Sequence, residues 1–125
     1  MKTVEMQKTW HFEAARRLPR LPPEHRCSRL HGSSFTVAVT VKSLMDPVLE
    51  WGVDFDVMEE RWRTLHALLD HRLLNEVEGL ENPTTENIAF WILAHFTLPP
   101  GALDARVTEV SVSELPTAKV TVKAT

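Results

Sequence analysis

Chemically useful side chains concentrate between His25 and Phe35, where the sequence reads HRCSRLHGSSF. This stretch holds the only cysteine of the chain, Cys27, with Arg26 and Arg29 close by. Cations near a thiol favour the thiolate, which is the nucleophilic form. The pattern therefore fits a reactive thiol, and it fits a buried structural cysteine equally well.

A possible acid–base pair lies further along the chain, where Asp70 precedes His71 at the end of a predicted helix. A carboxylate beside a histidine can fix the tautomer of the imidazole and stabilise its charged form, which makes a proton shuttle. Neighbours in sequence need not touch, so a solvated helix end is the alternative interpretation.

Glu114 is a carboxylate on a predicted strand whose neighbours on the same face, Val110 and Val112, are apolar. Burying an unpaired carboxylate is costly unless hydrogen-bond donors reach it. A ligand edge with two adjacent N–H groups would supply such donors. The alternative is that the strand leaves the core at this point.

The histidines do not form a metal motif by spacing alone. His31 is followed at the second position by Ser33, so a His-x-His pair is absent, and catalytic zinc sites use three protein ligands. His11, His66 and His95 fall singly on predicted strands or helices, where we expect surface or packing roles.

The spacing of apolar residues along the sequence predicts the strands that would carry these groups. Apolar residues at even positions from Val4 to Ala14 predict one strand with a buried face, and Phe35 to Val41 predict a second. The connection between them, residues 17–34, is rich in proline and arginine and has a length typical of functional loops. Period two returns at residues 110–114 and 120–122.

Two helices are predicted between the strand pairs. The first carries an apolar stripe of Met58, Trp62, Leu65 and Leu69, preceded by a capping-box pattern formed by Asp56 with Glu59. The second begins with Asn82 as N-cap and Pro83 as first helical residue, and carries Ile88, Trp91, Ile92 and Phe96. The order β-β-α-α-β-β predicts an α+β fold, with a four-stranded antiparallel sheet and two helices on one face.

Composition limits the possible partners and locations. The 125 residues are enough for a single domain, 1–125, and the net charge of −3 gives no reason to expect nucleic acid or an anionic membrane. One cysteine excludes an internal disulfide, and no apolar run suggests a signal peptide or membrane span. We expect a cytoplasmic protein. Weakly charged strand edges fit either self-association or a monomer with covered edges.

Together these segments resemble the 6-pyruvoyltetrahydropterin synthase family, most closely its bacterial branch, the 6-carboxytetrahydropterin synthases of queuosine biosynthesis. The matching segments are FEAARRLPRLPPEHRCSRLHGSSF, LDHRLLNEVEGLENPTTENIAFWI and VSVSELPTAKV, which span nearly the whole chain. The resemblance implies the tunnelling fold, in which three copies form a barrel and two trimers stack into a homohexamer. It also implies active sites between subunits and a small-molecule pterin as ligand.

The resemblance assigns roles to individual residues. Cys27 matches the catalytic cysteine of the family, Asp70 and His71 match its proton relay, and Glu114 matches the glutamate that holds the pterin. Thr84 and Thr85 match a segment that also contacts the pterin, and they are weaker candidates.

The departure from the family lies in its zinc site. The three zinc histidines correspond here to Arg16, His31 and Ser33, so one of three is retained. A guanidinium effectively never loses its proton and would repel the metal. We therefore expect no zinc cofactor unless the site is rebuilt from other ligands, such as His25, and we expect Arg16 to offer its charge to the substrate.

Three functions follow from these expectations. The first is a lyase acting on dihydroneopterin triphosphate or a related pterin by proton transfer through Cys27, Asp70 and His71. The second is a metal-free pterin enzyme of another reaction type, such as an aldolase or epimerase. The third is a non-catalytic protein that binds a pterin or a purine-like ring.

Overall fold

A computed structural model describes residues 1–101 and 103–125 and contains one antiparallel sheet with strand order β1-β2-β3-β4. The strands are β1 (Thr3–Arg16), β2 (His31–Leu44), β3 (Arg106–Leu115) and β4 (Ala118–Lys123). Helices α1 (Phe55–Leu69) and α2 (Thr85–His95) lie between β2 and β3 in the chain. The predicted α+β class and the β-β-α-α-β-β order are confirmed. None of the helices in the described ranges is long and apolar enough to cross a membrane.

The core lies between one face of the sheet and the two helices. Trp10 on β1 stacks on Trp62 of α1 with ring centroids 5.1 Å apart, and Phe12 stacks on Phe35 of β2 at 4.8 Å. These are the even positions of β1 and the odd positions of β2, as the alternation predicts. Burying one such side chain contributes about 1.5–3 kcal/mol, so period two alone fixes which face of each strand is covered.

Both helices begin at residues other than those predicted. The N-cap of α1 is Asp54, whose Oδ1 accepts from Asp56 N at 2.9 Å, and Glu59 instead pairs with Lys8. The capping box predicted from Asp56 with Glu59 is therefore wrong. A side-chain oxygen two residues before the first free amides satisfies them better than one already inside the helix.

Helix α2 is capped by Thr84, not by Asn82. The Thr84 hydroxyl oxygen accepts from Asn87 N at 3.0 Å, and the helix starts at Thr85. Asn82 and Pro83 precede it, and the carbonyl of Asn82 accepts from Thr84 N at 2.9 Å. The assignment of Asn82 and Pro83 as N-cap and first helical residue is wrong by two positions.

The β1–β2 hairpin extends further than its apolar pattern predicts. Arg16 pairs with His31 and Ala14 pairs with Ser33, so residues assigned by sequence to the loop belong to β2. Directly opposed residues of an antiparallel pair share a face. Arg16, His31 and Ser33 therefore all lie on the side of the sheet that the helices cover.

The segment after α1 covers the end of strand β1. Ala15 N donates to Arg72 O at 2.9 Å, His71 N donates to Glu13 O at 2.6 Å, and Arg17 N donates to Asn75 Oδ1 at 3.0 Å. The segment that the sequence predicts to be a long loop therefore contains a 3₁₀ turn at Leu74–Glu76 and contacts the edge of β1. This covered edge (residues 13–17, at the end of β1, with 71–75) fixes Asp70 and His71 beside the sheet.

Candidate functional site

A charged cluster joins the end of β1 to the end of β3. The guanidinium of Arg16 forms an ion pair with Glu114 Oε1 and donates from Nη1 to the Pro83 carbonyl at 2.9 Å. Thr85, the first residue of α2, donates to Glu114 Oε1 at 2.7 Å and lies 3.3 Å from Arg16 Nη1. Arg16 therefore ties together β1, β3 and the start of α2.

The two charges of this cluster differ in exposure. Arg16 is 3% exposed and its Cζ lies 5.0 Å from the ring centroid of Phe35, whereas the Glu114 side chain is 35% exposed. Partial burial by itself raises the pKa of Glu114, but the hydrogen bond from Thr85 and the charge of Arg16 outweigh it and hold that pKa below its usual value. Glu114 is therefore an ionised, partly exposed carboxylate paired with the buried guanidinium of Arg16.

Glu114 faces a cavity of about 330 Å³. The cavity also includes Thr85, and Val112, Leu115 and Val120 form its apolar wall. Its size lies at the lower end of the range for small-molecule pockets. An apolar wall beside a carboxylate suits a flat heterocycle that carries N–H donors on one edge.

The residues at the three positions that the sequence resemblance assigns to zinc do not fit a zinc ion. His31 can coordinate a metal through Nε2, since its Nδ1 lies 2.8 Å from Arg29 O, but Ser33 offers only a hydroxyl. Arg16 is a permanent cation already engaged with Glu114. Among the residues that the structure describes, no three His, Cys, Asp or Glu side chains are close enough to hold a metal ion. This donor set falls short of the three ligands of catalytic zinc.

Asp70 and His71 are in direct contact. His71 Nδ1 lies 2.7 Å from Asp70 Oδ2, and Asp70 Oδ1 accepts from Glu13 N at 2.9 Å. The hydrogen bond from Glu13 N, opposed by desolvation and assisted by His71 and His66, lowers the pKa of Asp70 below its usual value. An ionised Asp70 can fix one imidazole nitrogen of His71 and leave Nε2 free to exchange a proton.

His71 occupies an unusual backbone conformation, with φ of 56°. Residues other than glycine seldom use this left-handed region, although asparagine, aspartate and histidine use it more often than most. The conformation places His71 on a second cavity, of about 550 Å³, which Ser33, Gly32 and Arg72 also line. The covered edge of β1 holds the backbone here, since His71 N donates to Glu13 O.

Cys27 lies on a 3₁₀ turn, Arg26–Ser28, within the long connection. Its amide donates to His25 Nδ1 at 3.1 Å, its carbonyl accepts from Leu18 N at 2.9 Å, and the residue is partly buried. No hydrogen bond joins it to Asp70, His71 or Glu114 among the described residues. One chain thus brings Arg16, Thr85 and Glu114 together and brings Asp70 and His71 together, and among the described residues no hydrogen bond links Cys27 to either group.

Sequence reasoning missed two contacts of these groups. His66 Nε2 lies 3.6 Å from Asp70 Oδ1, and the i to i+4 spacing on α1 is a signal that could have indicated it. Lys119 on β4 lines the cavity of Glu114, which the sequence could indicate only through the pairing of β3 with β4.

Comparison with models of protein families shows which family this chain belongs to. The model of the family described as 6-pyruvoyl tetrahydropterin synthase matches residues 5–125. The chain belongs to this family. The 6-pyruvoyl tetrahydropterin synthase match includes every residue of the two clusters and of the 3₁₀ turn that holds Cys27.

Three curated relatives carry names from pterin chemistry. The chain is 45% identical over 92 residues to a 6-carboxy-5,6,7,8-tetrahydropterin synthase of Synechocystis, which covers 70% of each chain. It is 33% identical over 125 residues to the protein of that name in Bacillus subtilis, covering 92% of this chain and 82% of the relative. A dihydroneopterin monophosphate aldolase of Pyrococcus furiosus is 38% identical over 63 residues, which is 50% of this chain and 52% of that protein.

Solved structures show the same fold. The 6-pyruvoyl tetrahydropterin synthase of Caenorhabditis elegans superposes with a TM-score of 0.86 over 100% of this chain and 98% of that chain. The two sequences are 23% identical. The tunnelling fold predicted from the sequence is therefore confirmed.

Proposed function

We propose that this chain is a pterin-processing enzyme of the lyase type, acting on dihydroneopterin triphosphate or a related pterin without zinc bound in the family manner. The observation that carries the proposal is the Asp70–His71 contact of 2.7 Å, on a chain whose family is 6-pyruvoyl tetrahydropterin synthase. Two relatives named 6-carboxy-5,6,7,8-tetrahydropterin synthase support a product of that class.

The roles follow from the chemistry of each group. His71 moves protons at the substrate carbon centres while Asp70 holds its tautomer, and Cys27 exchanges a proton from its thiol. Glu114 accepts N–H groups of the ring, with Thr85 bonded to it and Thr84 preceding Thr85 in the chain. Arg16 supplies a fixed positive charge to the substrate, a kind of stabilisation that works best in a water-excluded site.

Assembly completes the site in this proposal. Within one chain Cys27 has no hydrogen bond to the Asp70–His71 pair or to Glu114 among the described residues, although all would act on one substrate. Active sites between subunits of a trimer or of a homohexamer would bring a thiol from one copy to a relay from another. The cleft is then a property of the assembly.

The test is turnover of dihydroneopterin triphosphate, with added zinc and with a chelator. Asparagine tolerates the left-handed backbone of His71, so His71→Asn removes the imidazole and preserves the turn. We expect His71→Asn, Asp70→Asn and Cys27→Ala each to lower kcat by about 10²–10⁴-fold. The matched control is His11→Asn, an exposed histidine on β1, which should keep wild-type turnover.

Activity that appears only with zinc would contradict the metal-free part of the proposal. Turnover that survives His71→Asn would contradict the assigned relay. Ring binding without any turnover by the wild-type chain would leave only the non-catalytic binding protein.

A second candidate is an aldolase-type reaction on a dihydroneopterin. The relative named dihydroneopterin monophosphate aldolase favours it, over half of the chain. Product analysis separates the two reactions by the fate of the phosphate. The lyase reaction eliminates free triphosphate, and formation of a 6-carboxy ring also releases the two remaining side-chain carbons, whereas an aldolase step leaves the phosphate on a two-carbon aldehyde and gives a 6-hydroxymethyl ring. We expect free triphosphate; a phosphorylated two-carbon aldehyde with a 6-hydroxymethyl ring would establish the aldolase instead.

A further inference from the structure

We propose that Arg16 recognises the acidic side chain of a pterin-like ligand by exchanging its partner from Glu114 to that acid. The inference rests on the proposed pterin function and adds to it the residue that recognises the acidic group. It starts from an ion pair that the three-histidine zinc pattern does not include.

Glu114 has one oxygen occupied and one open. Oε1 accepts from Thr85 at 2.7 Å and from Arg16, whereas Oε2 accepts no hydrogen bond from the described residues. An amidine edge presents two parallel N–H donors, which a carboxylate binds best with both of its oxygens. A pterin-like ring can therefore engage Glu114 fully only if Arg16 withdraws from Oε1.

Arg16 cannot withdraw into water. The residue is 3% exposed, and its Nε is already buried without a hydrogen-bond partner. Its other acceptors, the Pro83 carbonyl and the Thr85 hydroxyl, are neutral. Breaking a buried ion pair is costly because it leaves an uncompensated charge. A neutral ring at Glu114 creates that charge, whereas a ring that brings its own anion replaces the lost partner.

The cavity at Glu114 limits where this anion can lie. Glu86 lines one part of the cavity and repels an acid there. Lys119 also lines the cavity but is exposed on β4, where water screens its charge. The buried guanidinium behind Glu114 is the stronger partner, because a charge pair gains most where water is excluded.

The experiment compares two fluorescent rings, pterin and 6-carboxypterin, by titration at pH 7. We expect the wild-type chain to bind 6-carboxypterin at least about tenfold more tightly, which corresponds to about 1.4 kcal/mol. Arg16→Met should erase this preference and bind neutral pterin more tightly than the wild type, because Oε1 then keeps only its hydrogen bond from Thr85 and can accept from the ring.

Two matched controls test whether Arg16 is the residue that recognises the acidic group. Arg17→Met removes the exposed neighbouring arginine, and Lys119→Met removes the second cation of the cavity; both should keep the preference. Loss of the preference in Lys119→Met would overturn the exchange, as would equal weakening of both rings by Arg16→Met. Equal binding of both rings to the wild type would overturn it and leave the pterin function standing. Absence of binding by either ring would overturn both.

A second measurement does not depend on the folding of Arg16→Met. The Nε–H signal of Arg16 in a ¹⁵N spectrum of the wild-type chain should shift when 6-carboxypterin is added, since the guanidinium changes its partner. Pterin at a concentration giving equal occupancy should shift the signal less. The same shift with both rings would overturn the exchange.

Discussion

Arg16 shows how one side chain changes what the end of the β1–β2 hairpin can bind. The opposed pairs Arg16–His31 and Ala14–Ser33 place three side chains on one face at the end of the β1–β2 hairpin. With imidazoles at all three positions, that face would offer three neutral nitrogen ligands. With a guanidinium, it offers a cation that Glu114 neutralises.

The first prediction at this scale restores the metal site. The double substitution Arg16→His with Ser33→His adds two imidazoles to His31 and removes the competing cation. We expect it to bind about one zinc ion per chain, as measured by elemental analysis after dialysis, because three protein ligands suffice for a catalytic-type site.

The two single variants serve as the controls for this measurement. Each leaves at most two imidazoles and should bind zinc far more weakly. Stoichiometric zinc in the wild-type chain that disappears in His31→Ala would contradict our reading of the site.

The lowered pKa of Asp70 predicts a pH-dependent contribution to stability. Because the folded-state pKa lies below the unfolded value near 4, the stabilisation is complete above that value and is lost as pH falls through the folded pKa. Asp70→Asn should lower the free energy of unfolding by about 1 kcal/mol at pH 7, and the difference should shrink as pH falls from about 5 to about 2.

Urea unfolding of both chains across this pH range measures the effect. Asp104→Asn is the control, since that carboxylate is largely exposed and its ion pair with Arg106 lies at the surface. A difference between wild type and Asp70→Asn that grows toward low pH would show that the carboxylate is not held in its ionised form.

Sequence reasoning named the separate site residues but not their pairing. Arg16 and Glu114 are 98 positions apart, and they meet only because β1 and β3 end at the same side of the structure as the start of α2. No local pattern carries that information. The sequence leaves the Asp70–His71 contact open, since adjacent side chains meet only when a turn such as the one at His71 directs them together.

At the scale of elements, the helices were predicted correctly and their first residues were not. Acidic residues stand at both 54 and 56, so composition cannot decide which one is the cap of α1. The start of α2 is equally ambiguous from the sequence, because Asn82 and Thr84 are both good N-cap residues. Cap geometry depends on where the preceding chain enters, which the sheet determines.

The cap of α2 gives a prediction at this scale. Thr84→Ala removes the oxygen that accepts from Asn87 N and should lower the free energy of unfolding by about 1 kcal/mol, whereas Thr84→Ser should retain most of it. Denaturant unfolding checks this result.

Thr64→Ala is the matched control for this helix-cap experiment. That threonine is exposed in the middle of α1, where alanine has the better helix propensity, so the change should be neutral or slightly stabilising. Equal losses for Thr84→Ala and Thr64→Ala would mean that Thr84 does not act as a cap.

At the scale of the whole molecule, period two and period 3.6 were enough to predict the fold class. The buried apolar residues Phe35, Val37, Val39 and Val41 of β2 fall at alternate positions, because a one-residue slip would expose the whole face. The number of copies is not encoded in this alternation. It depends on how edge strands meet, and the covered edge of β1 was not visible in the sequence.

Self-association is the prediction at this scale. The edge of β1 is open only before residue 13, and β4 presents the other edge of the sheet. Light scattering at micromolar concentration should give a mass of three or six times 14.3 kDa, because unpaired strand edges pair with other copies. A concentration-independent monomer would contradict the assembly in the proposed function.

The covered edge of β1 also links loss of enzymatic activity to local unfolding of residues 71–75. His71 and Arg72 bond to the same strand end that they cover, so opening of residues 71–75 breaks the relay and the edge contact in one event. Segments held by a few bonds at an edge open at lower free energy than a core. On heating, we therefore expect enzymatic activity to be lost at a lower temperature than the tertiary fold. The tryptophan stack between β1 and α1 should still be intact when the Asp70–His71 pair no longer works.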